Sequence, residues 1–170
     1  EMKDLETQLD RMIELFEELV IEQKLDELIK NIEEMNLHQQ DITSKINNNK
    51  SDPNIDTMNK QQKNNLEKLK NNINQAADLI KKNDAKISES LNNINNNPAF
   101  KAIKHNMDNI TNKDSIKKSS INIEKNITSI EEELKELINN YNKKNTIEML
   151  NMYSKIIKNL IDMSYEQENI

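Results

Sequence analysis

The side chains able to do chemistry are few, and their spacing suits none of the usual devices. His38 and His105 are the only histidines. A di-iron centre in a helical bundle needs Glu-x-x-His pairs on two helices and a Glu from each of two others. Neither histidine has a glutamate three residues before it. Glu34 lies four before His38, on the same helix face, which supplies one carboxylate–imidazole pair where zinc requires three or four ligands. There is no cysteine, hence no thiolate nucleophile, thiolate ligand or disulfide. The acidic runs Glu17-Glu18, Glu33-Glu34 and Glu131-Glu132-Glu133 diverge rather than converge, because successive helical side chains point about 100° apart.

Glycine is also absent, which excludes the phosphate-cradling loops of nucleotide-binding folds and the EF-hand calcium loop. Lys117-Lys118 and Lys143-Lys144 are too short for a nucleic-acid patch, and no aromatic residues interleave with them for base stacking. Met149, Met152 and Met163 lie close together, as gap-filling helix contacts or an adaptable binding face. The residues therefore predict no catalytic, cofactor-binding or metal site, no enzyme activity, no cofactor and no nucleic-acid partner.

What the sequence does specify is helices. Apolar residues recur at Met2, Leu5, Leu9, Met12, Phe16 and Leu19 in steps of three and four, the period of a helix packing along one stripe. The phase slips where Leu19, Val20 and Ile21 stand together, then resumes at Leu25, Leu28, Ile32, Met35, Ile42 and Ile46. Such a slip broadens the stripe locally and marks a change of facing partner or of supercoil. A helix over about 1–48 would span roughly 70 Å at 1.5 Å per residue.

Asn47 to Ser51 form a polar break, and Asp52 before Pro53 reads as an N-cap with proline in the first turn. A second helix, about 52–95, carries Met58, Leu66, Leu69, Ile73, Ala76, Ile80, Ile87, Leu91 and Ile94, with a polar gap at Asn83 and Asp84. Pro98 opens a third, about 98–143, with Phe100, Ile103, Met107 and Ile110, a slip near 112–114, and then Ile116, Ser120, Ile123, Ile127, Ile130, Leu134, Leu137 and Tyr141. Asn142 to Asn145 read as a last turn, with Asn145 and Glu148 spaced as a capping box. The fourth helix, about 146–170, has Leu150, Tyr153, Ile157 and Leu160 on its seam, flanked by Met149, Ile156 and Met163. Short links force antiparallel neighbours. The expected fold is all-α: long antiparallel amphipathic helices in coiled-coil-like up-down hairpins, a single elongated segment over 1–170.

Hydrophobic residues make up 34% of the chain and Trp is absent, which suits narrow seams better than a broad core. With about two seam residues per heptad, the expectation is weak stability or dependence on partner helices. Net charge is −6, concentrated at the start: residues 1–35 hold 12 acidic and 4 basic groups. No apolar run reaches the roughly 18 residues of a transmembrane helix, so direct membrane insertion is not expected. The chain begins at Glu1 rather than methionine, and both ends lie in helical pattern, which predicts a piece of a longer protein.

Two stretches resemble a known family. Residues 5–35, with Leu9, Asp10, Arg11, Leu15, Phe16, Glu22, Gln23, Lys24 and Leu25, are similar to one helix of the bacterial family called domain of unknown function 4175. Residues 150–170, with Leu160, Ser164, Glu166, Gln167 and Glu168, resemble another of its helices. Together they cover about a third of the chain, and the Asn-rich middle departs from the family pattern. The resemblance implies a membrane-anchored protein of the bacterial cell envelope, with this segment as its water-facing part, and it implies no activity.

The functional expectation is a non-catalytic structural or interaction segment, a coiled-coil-like stalk or scaffold whose partners are other helices of the same chain or another protein. The alternative is a coiled-coil tether or cytoskeletal linker from an AT-rich eukaryote. Oligomeric state is left open by the sequence.

Overall fold

A computed structural model describes residues 2–48, 54–109 and 115–168, and every element among them is helical. The order is α1 (Met2–Asn47), α2 (Ile55–Ile80), α3 (Ala85–Asn95), α4 (Pro98–Asn109) and α5 (Ile116–Glu168). The chain divides into two units, Glu1–Glu136 and Leu137–Ile170.

The first unit is an antiparallel helical bundle, and its side-chain bonds give the direction of each column. Along α1 and α2, Glu17 meets Lys82 just beyond the end of α2, Lys24 meets Asn72, and Met35 meets Gln62, so the two run in opposite senses. Along α1 and α5, Glu33 meets Lys135, Asn36 meets Glu131, and Thr43 meets Ser120, again antiparallel. Ser88 of α3 donates to the Ala77 carbonyl at 2.8 Å, while Lys104 and Asp108 of α4 pair with Glu67 and Lys63 of α2. α3 and α4 therefore descend α2 one after the other, as a single column with a break. α1, α2, the α3–α4 column and the first part of α5 form an up-down-up-down set, the geometry short links favour.

The seams carry the packing. Leu25, Leu28, Ile32, Met35 and Ile42 of α1 are buried, as are Leu66, Leu69, Ile73 and Ile80 of α2. Leu91 of α3, Ile103 and Met107 of α4, and Ile123, Ile127, Ile130 and Leu134 of α5 complete the core. Full burial of such side chains contributes roughly 1.5–3 kcal/mol each.

Three boundaries differ from the sequence expectation. The helix expected over 52–95 is two helices, α2 and α3, reversed at residues 81–84. Asp84 is the N-cap of α3: its side chain accepts from the backbone N–H of Lys86 and Ile87, both at 3.1 Å. The N–H groups of Asn83 and Asp84 both donate to the Ile80 carbonyl, which closes the turn without glycine. Around Pro98 the chain breaks but does not reverse. The Asn97 side chain accepts from the Ala99 N–H at 2.9 Å, with Pro98 as the first helical residue, as expected of proline there.

The turn expected at Asn142 to Asn145 is absent, because α5 is continuous from Ile116 to Glu168 and Asn145 is a buried mid-helix residue. In α5 the seam position falls on buried Ile138, with Leu137 half-buried beside it. The Asp52–Pro53 cap and the slip near 112–114 lie outside the described residues, and the N-cap of α2 is Asn54. The side chains of Met2, Leu5, Ile110, Glu148, Met149, Met152, Tyr153, Ile156, Leu160 and Met163 lie outside them too.

In the second unit, α5 shows one exposed apolar face: Ile147, Leu150, Ile157 and Ile161 are all open to solvent. At 100° per residue these four fall within roughly 80° of one another on an ideal helix. Among the described residues no helix is long and apolar enough to cross a membrane.

Candidate functional site

Two features of the first unit stand apart from its aliphatic seams: a polar layer inside the bundle and an apolar groove on its surface. The layer begins where the stripe of α1 skips from Met35 to Ile42, with Gln39 in the vacant seam position. On α2 the stripe skips from Met58 to Leu66, and Gln62 fills that gap. Both glutamines are fully buried.

Gln62 Nε2 donates to the Met35 carbonyl at 2.7 Å, which leaves its Oε1 facing His38 Nδ1 at 2.9 Å. An amide oxygen only accepts, so His38 carries its proton on Nδ1. Gln39 Nε2 donates to Ser120 Oγ at 3.1 Å, and Ser120 Oγ lies 2.9 Å from Thr43 Oγ1. Thr43 donates in turn to the Gln39 carbonyl. The two hydroxyls are thus bonded among amide and hydroxyl groups. A polar pair in a helix seam is satisfied in one alignment and stranded in others, which fixes register.

Ionic contacts flank the layer. Lys135 Nζ sits 2.6 Å from both Glu131 and Glu33, and Glu131 also accepts from Asn36. The hydrogen bond to Glu131, then that to Glu33, raises the Lys135 pKa above the usual lysine value. Hydrogen bonding to Lys24 holds Glu27 below the ordinary carboxylate range, and Lys63 does the same for Asp108. Lys135, Glu27 and Asp108 are themselves substantially solvent-exposed, where ion pairs contribute little.

The sequence candidates are dispersed by the fold. Glu34 lies 3.9 Å from Lys30, while the His38 ring engages Gln62. His105 is exposed on α4. Glu17 pairs with Lys82, Glu33 with Lys135, and Glu133 with Asn97, so members of the acidic runs go to separate partners. Lys117, Lys118, Lys143 and Lys144 are exposed. Among the described residues no group of three or more His, Cys, Asp or Glu could hold a metal ion.

The groove lies between α1 and the α2–α3 turn. Ile13, Phe16, Val20 and Ile21 of α1 line it with Leu79, Lys82 and Asn83, around a volume of about 380 Å³. It continues a stripe of exposed apolar side chains, Leu9, Met12, Ile13, Phe16, Leu19 and Val20, of which Phe16 is 62% exposed. At 100° per residue the stripe is about 120° wide, and its centre lies roughly 140° around the helix from the buried face that begins at Ile21. The phase slip at Leu19–Ile21 is therefore the point where α1 turns a different side to the bundle. Leu79 and Lys82 were not legible as members of this site, since nothing in their own spacing marks them.

The fold and these two features define an antiparallel helical bundle with an internal polar layer and an open apolar groove. The chain matches no protein-family model, no curated protein and no solved structure.

Proposed function

We propose that this chain is a non-catalytic interaction segment that docks other helices through exposed apolar helical faces. The observation that carries the reading is the stripe from Leu9 to Val20, whose six large side chains are 49–62% exposed on a helix whose continuation is core. Contiguous exposed apolar patches on a folded protein mark binding surfaces. The stripe has helical spacing and runs for about 17 Å, longer than a small ligand needs and suited to a helix.

The likeness of residues 5–35 and 150–170 to a membrane-anchored bacterial family favours a stalk or scaffold in the cell envelope over a cytoskeletal tether. The stripe occupies the first of those two stretches.

The chain lacks cysteine, so a single introduced thiol reports on one position. Phe16→Cys and Lys86→Cys are labelled with a maleimide in the cells that make the protein and again after purification. An interaction role predicts that Phe16→Cys reacts several-fold more slowly in cells than when purified, with no such difference at Lys86→Cys. Equal rates for Phe16→Cys in both settings would remove the basis of the proposal.

A further inference from the structure

We infer that the occupant of the groove between α1 and the α2–α3 turn is a basic amphipathic helix of a partner protein. The inference rests on the docking role proposed above and adds the chemistry of the partner. The groove is apolar along its floor, and the stripe leading into it repeats at helical spacing, so the matching ligand is a helix with apolar anchors on one face.

Charge selects among helices. From Thr7 to Glu22 the acidic residues are Asp10, Glu14, Glu17, Glu18 and Glu22, against Arg11 alone, a net of 1 − 5 = −4. On an ideal helix Glu17 and Asp10 border one side of the stripe, and Arg11 with Glu22 the other. Lys82, the cation among the described residues that line the groove, faces Glu17 at 3.3 Å. A helix with Lys or Arg flanking its apolar stripe meets a net-negative helix, most acidic on the Glu17 and Asp10 side, which favours encounter and orientation. A second copy docked through the same stripe brings two net-negative faces together, and like charges suppress such pairings. An anionic lipid surface is repelled in the same way, since interfacial helices carry Lys and Arg on the polar face.

The test uses two fluorescent peptides of about 14 residues with identical leucine seams, one flanked by lysines and the other by glutamates. Binding to the whole purified chain is followed by fluorescence anisotropy. The lysine peptide is expected to bind at least about tenfold more tightly than the glutamate peptide, and to weaken as salt rises from about 0.05 to 0.5 M. Phe16→Ser, at a side chain 62% exposed, should leave the helical circular dichroism unchanged and weaken the lysine peptide by at least about tenfold. That loss separates the groove from general attraction to a chain of net charge −6.

Equal binding of the two peptides, indifference to Phe16→Ser, or no binding by the lysine peptide overturns the inference. So does a dimer in sedimentation that Phe16→Ser converts to monomer, which assigns the stripe to a second copy. Protection of Phe16→Cys in cells alongside failure of the lysine peptide rejects the basic partner and leaves the docking role standing.

Discussion

Replacing Asp84 by alanine tests the reversal between α2 and α3, because the two ways of folding this segment predict opposite signs. In the bundle, Asp84 is an N-cap whose carboxylate accepts from Lys86 N–H and Ile87 N–H, both at 3.1 Å. Alanine leaves those two donors without that acceptor and removes a negative charge from the helix start. Loss of such a cap costs about 1 kcal/mol, within a range of roughly 0.5–2. In an uninterrupted helix over 52–95, Asp84 would be an interior residue, and alanine would stabilise by up to about 0.7 kcal/mol. For a chain of this size, 1 kcal/mol corresponds to a Tm change of roughly 2–4 °C. Thermal and urea melts followed by far-UV circular dichroism measure the difference. The expected result is a Tm lowered by a few degrees for Asp84→Ala and little changed for Asp84→Asn, which keeps a capping oxygen. A Tm raised by Asp84→Ala would refute the turn.

Two further expectations concern the polar layer and the ion pairs. Gln62→Ala strips the amide from His38 and Gln39 in a buried layer and leaves a cavity, at a cost of about 2–4 kcal/mol. The double variant Gln39→Leu with Gln62→Leu removes both amides and should fall within about 1 kcal/mol of the parent, but with a broader urea transition as alternative alignments become accessible. A double variant that is both as unstable as Gln62→Ala and as sharp as the parent would contradict a register role. On pH, Glu27 and Asp108 have lowered folded pKa values, so their contribution is present above the unfolded carboxylate pKa and is lost as pH falls through the folded one. Lys135 has a raised pKa, so its contribution is complete below the unfolded lysine value and is lost as pH rises through the folded one. Tm should therefore be flat from about pH 5 to 9 and decline gently below about 4 and above about 10. A Tm maximum outside that plateau would contradict these assignments.

The seams were legible because a three-four alternation has one physical meaning: a helix burying one side. Leu25 to Met35, Leu66 to Ile80 and Ile123 to Leu134 are buried as their spacing predicts. The reversal at 81–84 was hidden because the alternation crosses it in phase. Ile80, Asp84 and Ile87 stand at four- and three-residue steps, so the period reads straight through the turn. Only the chemistry of Asp84, a capping residue at a seam position, distinguishes a turn from a polar insertion there. The opposite error arose at Asn142 to Asn145, where a polar tetrad resembles a loop but Tyr141 and Asn145 keep the helical step and are both buried. The groove was half legible. The phase slip at Leu19–Ile21 signals a change of face, whereas the contribution of Leu79 and Lys82 depends on how α1 and α2 align, and single-helix periodicity carries no such information.

That alignment ties the polar layer to the groove. Gln62 bonds the Met35 carbonyl, and Leu79 lies seventeen residues after Gln62, while Glu18 lies seventeen before Met35. Antiparallel helices that pair at one level pair again at equal distances from it, so fixing Gln62 against Met35 sets Leu79 beside the turn of α1 that carries Phe16 and Val20. A slip of one turn moves α2 by about 5.4 Å. Such a slip would separate Glu17 from Lys82 and carry Leu79 past the groove, while leaving aliphatic seam residues opposite other aliphatic residues. Leu and Ile tolerate that exchange and buried amides do not. Gln39 and Gln62 thus set the register on which the lining of the groove depends, about seventeen residues along the helices from it. The variant lacking both amides should accordingly lose groove binding while retaining most of its stability.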